Sequence, residues 1–478
     1  MLFNSTIFLG FLLVVFTLYW SLNKWNIRVQ NGLILLASYF FYGCWDPRFL
    51  ILIAISTFID YSVGLKIKSS SQKAHKKRWL YVSIFSNIGL LFYFKYFNFF
   101  IESFVQMFAT FGISLQYESL SIILPVGISF YTFQTLSYSI DIYQNRLQPT
   151  KNFLAFASFV SFFPQLVAGP IEKARDLLPQ FLGKRSFDYG FATAGLKLIL
   201  WGLFKKVVVA DNCAKIVNVV FENPEIYSGK TLLVGAVFFS FQIYCDFSGY
   251  SDMATGIARL FGFNLKVNFN FPYFSKNLIV FWKRWHISLT TWFRDYLYIP
   301  LGGNRVSRTI TLVNIIIVFL LSGLWHGANW TYVIWGGLNA LVYILTSQFL
   351  SVFSINIKRF SHQFNFIKIV ANFMIVTILW IFFRSESVDL AFLYFKTLFS
   401  PTLLNHINHN LVDGIRVTSV LIVIMIILEW TGRNSRYAIL IVNNIKLKAV
   451  RWLVYGFVLV LIGLFMVPEK IDFLYFQF

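Results

Sequence analysis

Residues 308–358 read RTITLVNIIIVFLLSGLWHGANWTYVIWGGLNALVYILTSQFLSVFSINIK. No Asp, Glu, Lys or Arg occurs between Arg308 and Lys358. A helix needs about 20 apolar residues to cross a hydrocarbon core about 30 Å thick, so this run is long enough for two passes. Gly323, Gly327 and Asn329 mark the turn expected between them. The run therefore predicts a pair of membrane-spanning helices.

The same apolar character extends along the whole chain. Of its 478 residues 57% are hydrophobic and 13% are charged, whereas a soluble domain usually carries about a quarter charged residues. We predict an all-α polytopic membrane protein with about eleven or twelve crossings and a single membrane domain, residues 1–478. The third crossing is expected just before Lys66. The other crossings are expected near 7–20, 31–41, 79–94, 122–140, 196–210, 232–245, 310–324, 330–345, 367–383, 419–428 and 452–465.

The distribution of charge predicts the orientation. Lys24 and Arg28 follow the first span, and the loop 66–78 is strongly basic, whereas 101–120 contains acidic residues and no Lys or Arg. Because Lys and Arg are retained in cytoplasmic loops, the N-terminus is expected outside. The net charge of +21 is then a topology signal and not a sign of nucleic-acid binding. A cytoplasmic surface that attracts a polyanion such as coenzyme A is compatible with it.

Two places do not fit the simple alternation of sides. The apolar block 153–168 has basic residues on both flanks, so we predict that it re-enters the membrane and leaves on the same side. Lys205 and Lys206 lie in the expected span 196–210. Either they snorkel from a span end or the assignment of sides is wrong there.

The segment 281–296 has a helical pattern of aromatic and basic residues, with His286 at the border of its two faces. We predict a helix in the membrane interface, with its apolar face in the lipid and its basic face toward phosphates. From the pattern alone, His286 is either functional or a locally hydrogen-bonded side chain. The apolar stripe is Phe281, Trp285, Leu289, Trp292 and Tyr296, and the opposing face holds Lys276, Lys283, Thr290 and Arg294.

His326 stands about 27 Å along the helix from Arg308, at about 1.5 Å per residue. An ionisable residue at membrane depth is a functional candidate. A histidine can take a proton from a hydroxyl and later return it. The alternative is a neutral histidine that bridges two helices.

Asp246 and Asp252 lie at the end of an expected span. They are interpreted either as groups that orient a catalytic histidine or bind polar substrate, or as solvated helix caps. No pattern of His, Cys, Asp and Glu predicts a metal site.

Six motifs follow one another along the chain: PVGISFYTFQ (125–134), FPQLVAGPI (163–171), YCDFSGYSD (244–252), FWKRWHISL (281–289), RDYLYIPLGGNR (294–305) and WHGANW (325–330). In this order they resemble the membrane-bound O-acyltransferase (MBOAT) family, and within it the bacterial branch that acetylates alginate or transfers D-alanine to teichoic acids. The likeness covers nearly the whole chain.

The resemblance implies that His326 is the catalytic histidine and that His286 is the second histidine beside it. It also implies a ring of helices with a donor entrance on the cytoplasmic side and an acceptor entrance outside. Acetyl-coenzyme A would be the acyl donor, with no bound cofactor. Candidate substrate-binding residues are Lys283, Arg294, Asn304, Arg305, Asp246, Asp252 and Asn329.

The expected activity is transfer of acetyl, in preference to D-alanyl, onto hydroxyls of an extracytoplasmic polysaccharide, from the bacterial inner membrane and with an extracytoplasmic partner protein. Alginate, another exopolysaccharide, peptidoglycan or another cell-surface polymer all remain open as acceptor. The competing interpretations are a transporter or flippase of a lipid-linked sugar and an inactive scaffold. Paired repeats with broken helices, typical of transporters, are not found in the sequence.

Overall fold

The computed structural model describes residues 1–166, 169–353, 365–467 and 473–474. Every regular element in this described part is helical, which confirms the all-α class. The α-helices are α1 (Thr6–Ser21), α2 (Ile27–Gly43), α3 (Leu50–Ser69), α4 (Lys73–Leu91), α5 (Phe97–Thr110), α6 (Ile128–Tyr143), α7 (Phe153–Val160), α8 (Phe163–Leu166), α9 (Ala174–Leu182), α10 (Tyr189–Leu203), α11 (Asp211–Glu222), α12 (Gly229–Leu260), α13 (Leu278–Trp282), α14 (Ile287–Phe293), α15 (Arg308–His326), α16 (Trp330–Phe353), α17 (Asn365–Arg384), α18 (Val388–Leu398), α19 (Val412–Gly432) and α20 (Lys448–Phe465).

Nine segments among the described residues are long and apolar enough to cross a membrane, so the chain is a multi-pass membrane protein. The remaining expected spans are also helical. α10 continues through the π-helical segment Phe204–Ala210 into α11, whereas α2 and α6 have 17 and 16 residues. These two are shorter than the roughly 20 residues of a typical full crossing. The nine segments are Thr6–Lys24, Pro47–Ser69, Lys73–Thr110, Gly229–Leu260, Arg308–His326, Trp330–Leu350, Asn365–Arg384, His409–Gly432 and Lys448–Phe465.

The block expected to re-enter the membrane forms two short helices. α7 has eight residues and α8 has four, so even α7 rises only about 12 Å at 1.5 Å per residue. Neither helix can cross a bilayer, in agreement with the predicted re-entry. Residues 167 and 168 of this block lie outside the described residues.

The chain packs into two compact units, and the first comprises residues 1–193 and 257–266. A buried carboxylate, Asp60 on α3, joins three of its helices. It accepts hydrogen bonds from Asn87 Nδ2 on α4 (2.8 Å), from Ser139 Oγ on α6 (3.0 Å) and from the hydroxyl of Ser83 on α4. Hydrogen bonds between helices of this kind support association in apolar surroundings, where the hydrophobic effect supplies little.

The second unit comprises residues 194–256 and 267–478 and contains both candidate histidines. Its α15 and α16 form the predicted antiparallel pair, and small residues allow their backbones to approach closely. A Cβ atom on Gly323 would collide with the carbonyl oxygen of Tyr332, and one on Gly336 with that of Phe319. Glycine at these two positions therefore fixes the distance between the helices.

Candidate active site

His326 is the last residue of α15, at the turn that the sequence predicts. It is 4% exposed. The next residue, Gly327, packs so closely against the ring of Tyr332 that a Cβ atom there would collide with it. The tight turn thus holds His326 between α15 and α16 and not in a solvated loop.

His286 lies where the predicted helix over 281–296 breaks. The structure contradicts one continuous helix: α13 ends at Trp282 and α14 begins at Ile287. His286 has a φ of 42°, in the left-handed region that few residues other than glycine adopt. Its Nδ1 accepts a hydrogen bond of 3.4 Å from the backbone N–H of Leu289. His286 is therefore the N-cap of α14.

Asn268 stabilises this break from outside the segment. Its backbone carbonyl accepts a hydrogen bond from the N–H of Ile287 (2.9 Å), and its side-chain oxygen accepts one from the N–H of Ser288 (3.2 Å). The first N–H groups of a helix have no partner within the helix. Asn268 supplies hydrogen-bond acceptors for two of these N–H groups, which stabilises the start of α14 inside the protein.

The stripe of aromatic residues does not face lipid, contrary to the interfacial prediction. Phe281, Trp285 and Leu289 are buried inside the protein, whereas Lys283 and Arg294 are exposed. The predicted separation into an apolar and a basic face is therefore right. The assignment of the apolar face to the membrane is wrong, because these aromatic rings pack in the protein core.

The two histidines face the same cavity of about 340 Å³. Their ring centroids are 6.5 Å apart. Lys283 and Arg294 also line the cavity, and no Asp or Glu is among the described residues around it. The Nε of Arg294 donates a 2.8 Å hydrogen bond to Asp295. The cavity therefore combines two imidazoles with a cationic edge.

Aromatic side chains enclose both imidazoles. The His326 ring lies 5.3 Å from that of Trp335 and 5.2 Å from that of Phe383. The His286 ring lies 4.6 Å from that of Phe247 on α12. Burial lowers the pKa of His286 to about 3, so this imidazole is neutral at neutral pH. A neutral His286 suits hydrogen bonding to a developing oxyanion better than ion pairing with phosphate.

The other candidate residues lie away from the cavity wall. Asn304 and Arg305 are exposed on the turn after the π-helical segment Arg294–Tyr298. Asn329 accepts a 3.0 Å hydrogen bond from the N–H of Thr331 at the start of α16, and its Nδ2 donates to the carbonyl of Glu386 (2.8 Å). Asn329 therefore connects the start of α16 to the backbone at Glu386, whereas Asn304 and Arg305 lie on the surface.

Asp246 and Asp252 are not solvated helix caps, because both lie inside α12. Asp246 Oδ1 is 2.7 Å from the ammonium of Lys206, and its Oδ2 accepts a 2.7 Å hydrogen bond from the N–H of Leu474. Asp252 Oδ2 is 2.7 Å from the ammonium of Lys205. Neither aspartate is among the residues that line the histidine cavity.

These ion pairs also overturn the interpretation of Lys205 and Lys206 as snorkelling residues. Their side chains are 3% and 1% exposed. Both lie in a π-helical segment, Phe204–Ala210, and bind carboxylates of the protein interior. These two lysines therefore do not indicate which side of the membrane the segment faces, because they pair with aspartates inside the protein.

Three residues of the site were not identified from the sequence. Ser322 lines the cavity one helical turn before His326, and Tyr298 and Tyr343 line it from other segments. The i, i+4 spacing of Ser322 and His326 places them on one helix face, so Ser322 could have been identified from the sequence. The two tyrosines have no comparable local signal.

The arrangement defines a class of protein: a multi-pass membrane enzyme with a buried histidine pair in a partly cationic cavity. The model of the MBOAT, membrane-bound O-acyltransferase family, matches residues 44–385. This chain belongs to that family and is an O-acyltransferase. The resemblance inferred from the six motifs is thereby confirmed.

Two O-acetylating relatives cover nearly the whole chain, and a D-alanylating relative covers less than half of it. Probable alginate O-acetylase AlgI of Pseudomonas aeruginosa is 38% identical over 91% of this chain and 82% of its own length. Peptidoglycan O-acetyltransferase of Helicobacter pylori is 35% identical over 91% of this chain and 90% of its own. Teichoic acid D-alanyltransferase of Bacillus subtilis is 29% identical over 45% of this chain and 57% of its own.

Proposed function

We propose that this chain, as one acyltransferase domain of the bacterial inner membrane, moves an acetyl group from cytoplasmic acetyl-coenzyme A to hydroxyls of an extracytoplasmic polysaccharide, together with a partner protein. The observation that carries the proposal is the pair of imidazoles 6.5 Å apart in one cavity. Acetylating relatives match far more of the chain than D-alanylating ones do, which favours acetyl as the group transferred.

In the proposed reaction His326 is the general base. It accepts the proton of a hydroxyl, on the polymer or on a carrier, while the oxygen attacks the thioester carbonyl. The tetrahedral intermediate expels the thiolate of coenzyme A, which takes the proton back from the imidazolium. The ester and the free thiol are the products. General-base catalysis contributes about 10²–10⁴-fold, so positioning and charge stabilisation supply the rest.

Lys283 and Arg294 are the residues proposed to contact the phosphates of the donor. Both line the cavity and both are exposed, so a polyanion can reach them from outside; at Arg294 it would approach a guanidinium whose Nε is bonded to Asp295. Arg305 and Asn304 lie on the neighbouring exposed turn and are proposed to extend the same contact. His286 is proposed to donate a hydrogen bond to the carbonyl oxygen as negative charge develops on it.

The activity is tested with acetyl-coenzyme A labelled in its acetyl group. Permeabilised cells that contain this chain should acquire alkali-labile label on surface polysaccharide, and cells with the chain deleted should not. Label that requires the chain but appears as an intact lipid-linked sugar, with no new ester, would support the flippase interpretation. Restoring this chain without neighbouring genes that encode extracytoplasmic proteins tests the need for a partner, because no labelled polysaccharide should then form.

His286 can be tested with two substitutions that separate position from chemistry. Asparagine tolerates the left-handed backbone and caps helices, whereas alanine does neither. Asparagine would bring its own N–H donor, so glycine, which adopts the left-handed backbone and is accepted at an N-cap, is the substitution to compare with alanine. We expect both His286→Gly and His286→Ala to lower transfer by about 10²-fold, the cost of removing one hydrogen-bond donor to an oxyanion. Only His286→Ala should also lower the unfolding temperature, since a lost N-cap costs about 1 kcal/mol.

The measurements are initial rates of acetyl transfer and thermal unfolding in detergent. Full activity of His286→Gly with loss in His286→Ala would show that His286 acts only by fixing the backbone at the break. Full activity of both variants would remove His286 from the reaction.

A further inference from the structure

A second cavity, of about 290 Å³, lies in the second unit. We infer that it binds one acyl chain of an anionic phospholipid, whose headgroup phosphate is held by Arg433. The cavity is a groove between α17 and α19, here called the lipid groove. Its walls include Phe366, Ile369, Val370 and Phe373 of α17 and Met425 and Trp430 of α19.

The lipid groove has the position and composition of a hydrocarbon site. α17 and α19 lie in two of the nine segments that are apolar enough to span a membrane. The α17 residues recur at i, i+3, i+4 and i+7 and so form one stripe along the helix. Phe366 and Val370 are 72% and 42% exposed, whereas Phe373 is half-buried. The groove therefore opens outward at one end and deepens into the protein at the other.

Size separates a single acyl chain from a helix of a partner protein. An α-helix with its side chains is about 10–12 Å across. Two turns of such a helix would occupy more than the volume of the groove. A flexible hydrocarbon chain needs no such width, and the outward opening gives it an entrance from the bilayer.

Positive charge lies at the outer end of the lipid groove. The guanidinium of Arg433 is 4.1 Å from the centroid of the Trp430 ring, which is itself a wall of the groove. Arg433 and Arg436 are exposed, and no Asp or Glu occurs between Trp430 and Lys448. By the excess of basic residues this loop is cytoplasmic. Basic pockets between spanning helices on that side suit anionic headgroups.

A buried carboxylate determines which way the lipid enters. Glu429 lines the groove, is 4% exposed and accepts hydrogen bonds of 2.8 and 3.0 Å from the hydroxyl of Tyr244. A phosphate at the depth of Glu429 would be removed from water beside a buried carboxyl group, whereas a phosphate at Arg433 meets an exposed cation. The chain therefore points inward and the headgroup stays at the surface.

The lipid groove backs onto the wall of the histidine cavity. Tyr273, which lines the groove, lies 6.0 Å from Trp285, which lines the histidine cavity beside His286. An acyl chain in the groove would fill the space behind this aromatic wall. Protein interiors are close-packed and forfeit contacts wherever a space is left empty. The bound lipid is thus expected to stabilise the unit that carries the active site.

The test is thermal unfolding of the full-length, delipidated protein in detergent, titrated with phosphatidylglycerol or with phosphatidylcholine. A ligand that binds only the native state stabilises it by RT ln(1 + [L]/Kd), so at equal concentration the lipid that binds more tightly raises the unfolding temperature more. We expect a rise with phosphatidylglycerol that is at least twice the rise with phosphatidylcholine. Both lipids carry a phosphate, but in phosphatidylcholine the choline cation offsets its charge. Equal rises with the two lipids would overturn the selection of an anionic headgroup by Arg433.

Matched variants locate the effect. Val370→Trp fills the groove and should abolish the rise with phosphatidylglycerol. Ile367→Trp is the control, because Ile367 is on the same helix, 59% exposed and outside the groove. Arg433→Gln changes an exposed side chain and requires no repacking of the protein core. It should reduce the rise in unfolding temperature with phosphatidylglycerol to the level seen with phosphatidylcholine. Identical behaviour of the two tryptophan variants, or an unchanged rise in Arg433→Gln, would overturn the proposal.

Discussion

Replacing His326 with alanine should lower acetyl transfer by at least about 100-fold, since general-base catalysis contributes about 10²–10⁴-fold. The protein should still insert and fold, because the helix ends at this residue and Gly327 forms the turn without it. Transfer of label from acetyl-coenzyme A measures the activity. The amount of monodisperse protein recovered in detergent measures folding.

His406→Ala is the matched control, because His406 is an exposed histidine of a loop. It should transfer acetyl at the rate of the unmodified chain. A His326→Ala variant with a near-normal rate would exclude residue 326 as the base. In that case Ser322 and His286, which share its cavity, would have to be tested in the same way.

The spans and the α15–α16 turn could be predicted because apolar length is a local property of the sequence. The absence of charge between Arg308 and Lys358 is enough to place two helices there, and glycine marks where they reverse. The position of His326 at that turn followed directly. At α6 the hydropathy pattern extended the expected span to residue 122, whereas the helix begins at Ile128.

The break at His286 could not be predicted from its own segment. The aromatic stripe continues at helical spacing through the break, so the local pattern favours one helix. What ends the helix is hydrogen bonding to Asn268, a residue in a separate loop. A tertiary contact of this kind overrides local periodicity. The functional role of His286 therefore stays a prediction, and the continuous helix predicted around it is wrong.

The pairing of Lys206 was equally hidden from the sequence. Its partners Asp211 and Asp246 lie on α11 and α12, and the second is 40 positions along the chain. A lysine inside an expected span suggests a helix end when its partners are unknown. Only the packing of these helices shows that Lys206 neutralises two carboxylates.

Replacing Lys206 with methionine should therefore destabilise the protein by about 3–5 kcal/mol, the usual cost of removing one partner from a buried ion pair. The ammonium of Lys206 is 2.7 Å from Asp246 and 2.8 Å from Asp211, and all three side chains are at least nine-tenths buried. Methionine preserves the length of the side chain and removes the charge. Two buried carboxylates would then face each other without a cation.

Thermal unfolding in detergent checks this expectation. Lys230→Met is the control, because Lys230 is an exposed lysine on α12 and should change the unfolding temperature little. The triple variant Lys206→Met, Asp211→Asn, Asp246→Asn should recover part of the loss, since its side chains carry no unpaired charge. If Lys206→Met unfolded at the temperature of Lys230→Met, the ion pairs would contribute nothing to stability. Because Phe247 follows Asp246 on α12 and its ring packs 4.6 Å from that of His286, a destabilised Lys206→Met should also lose acetyl transfer, and the triple variant should regain both together.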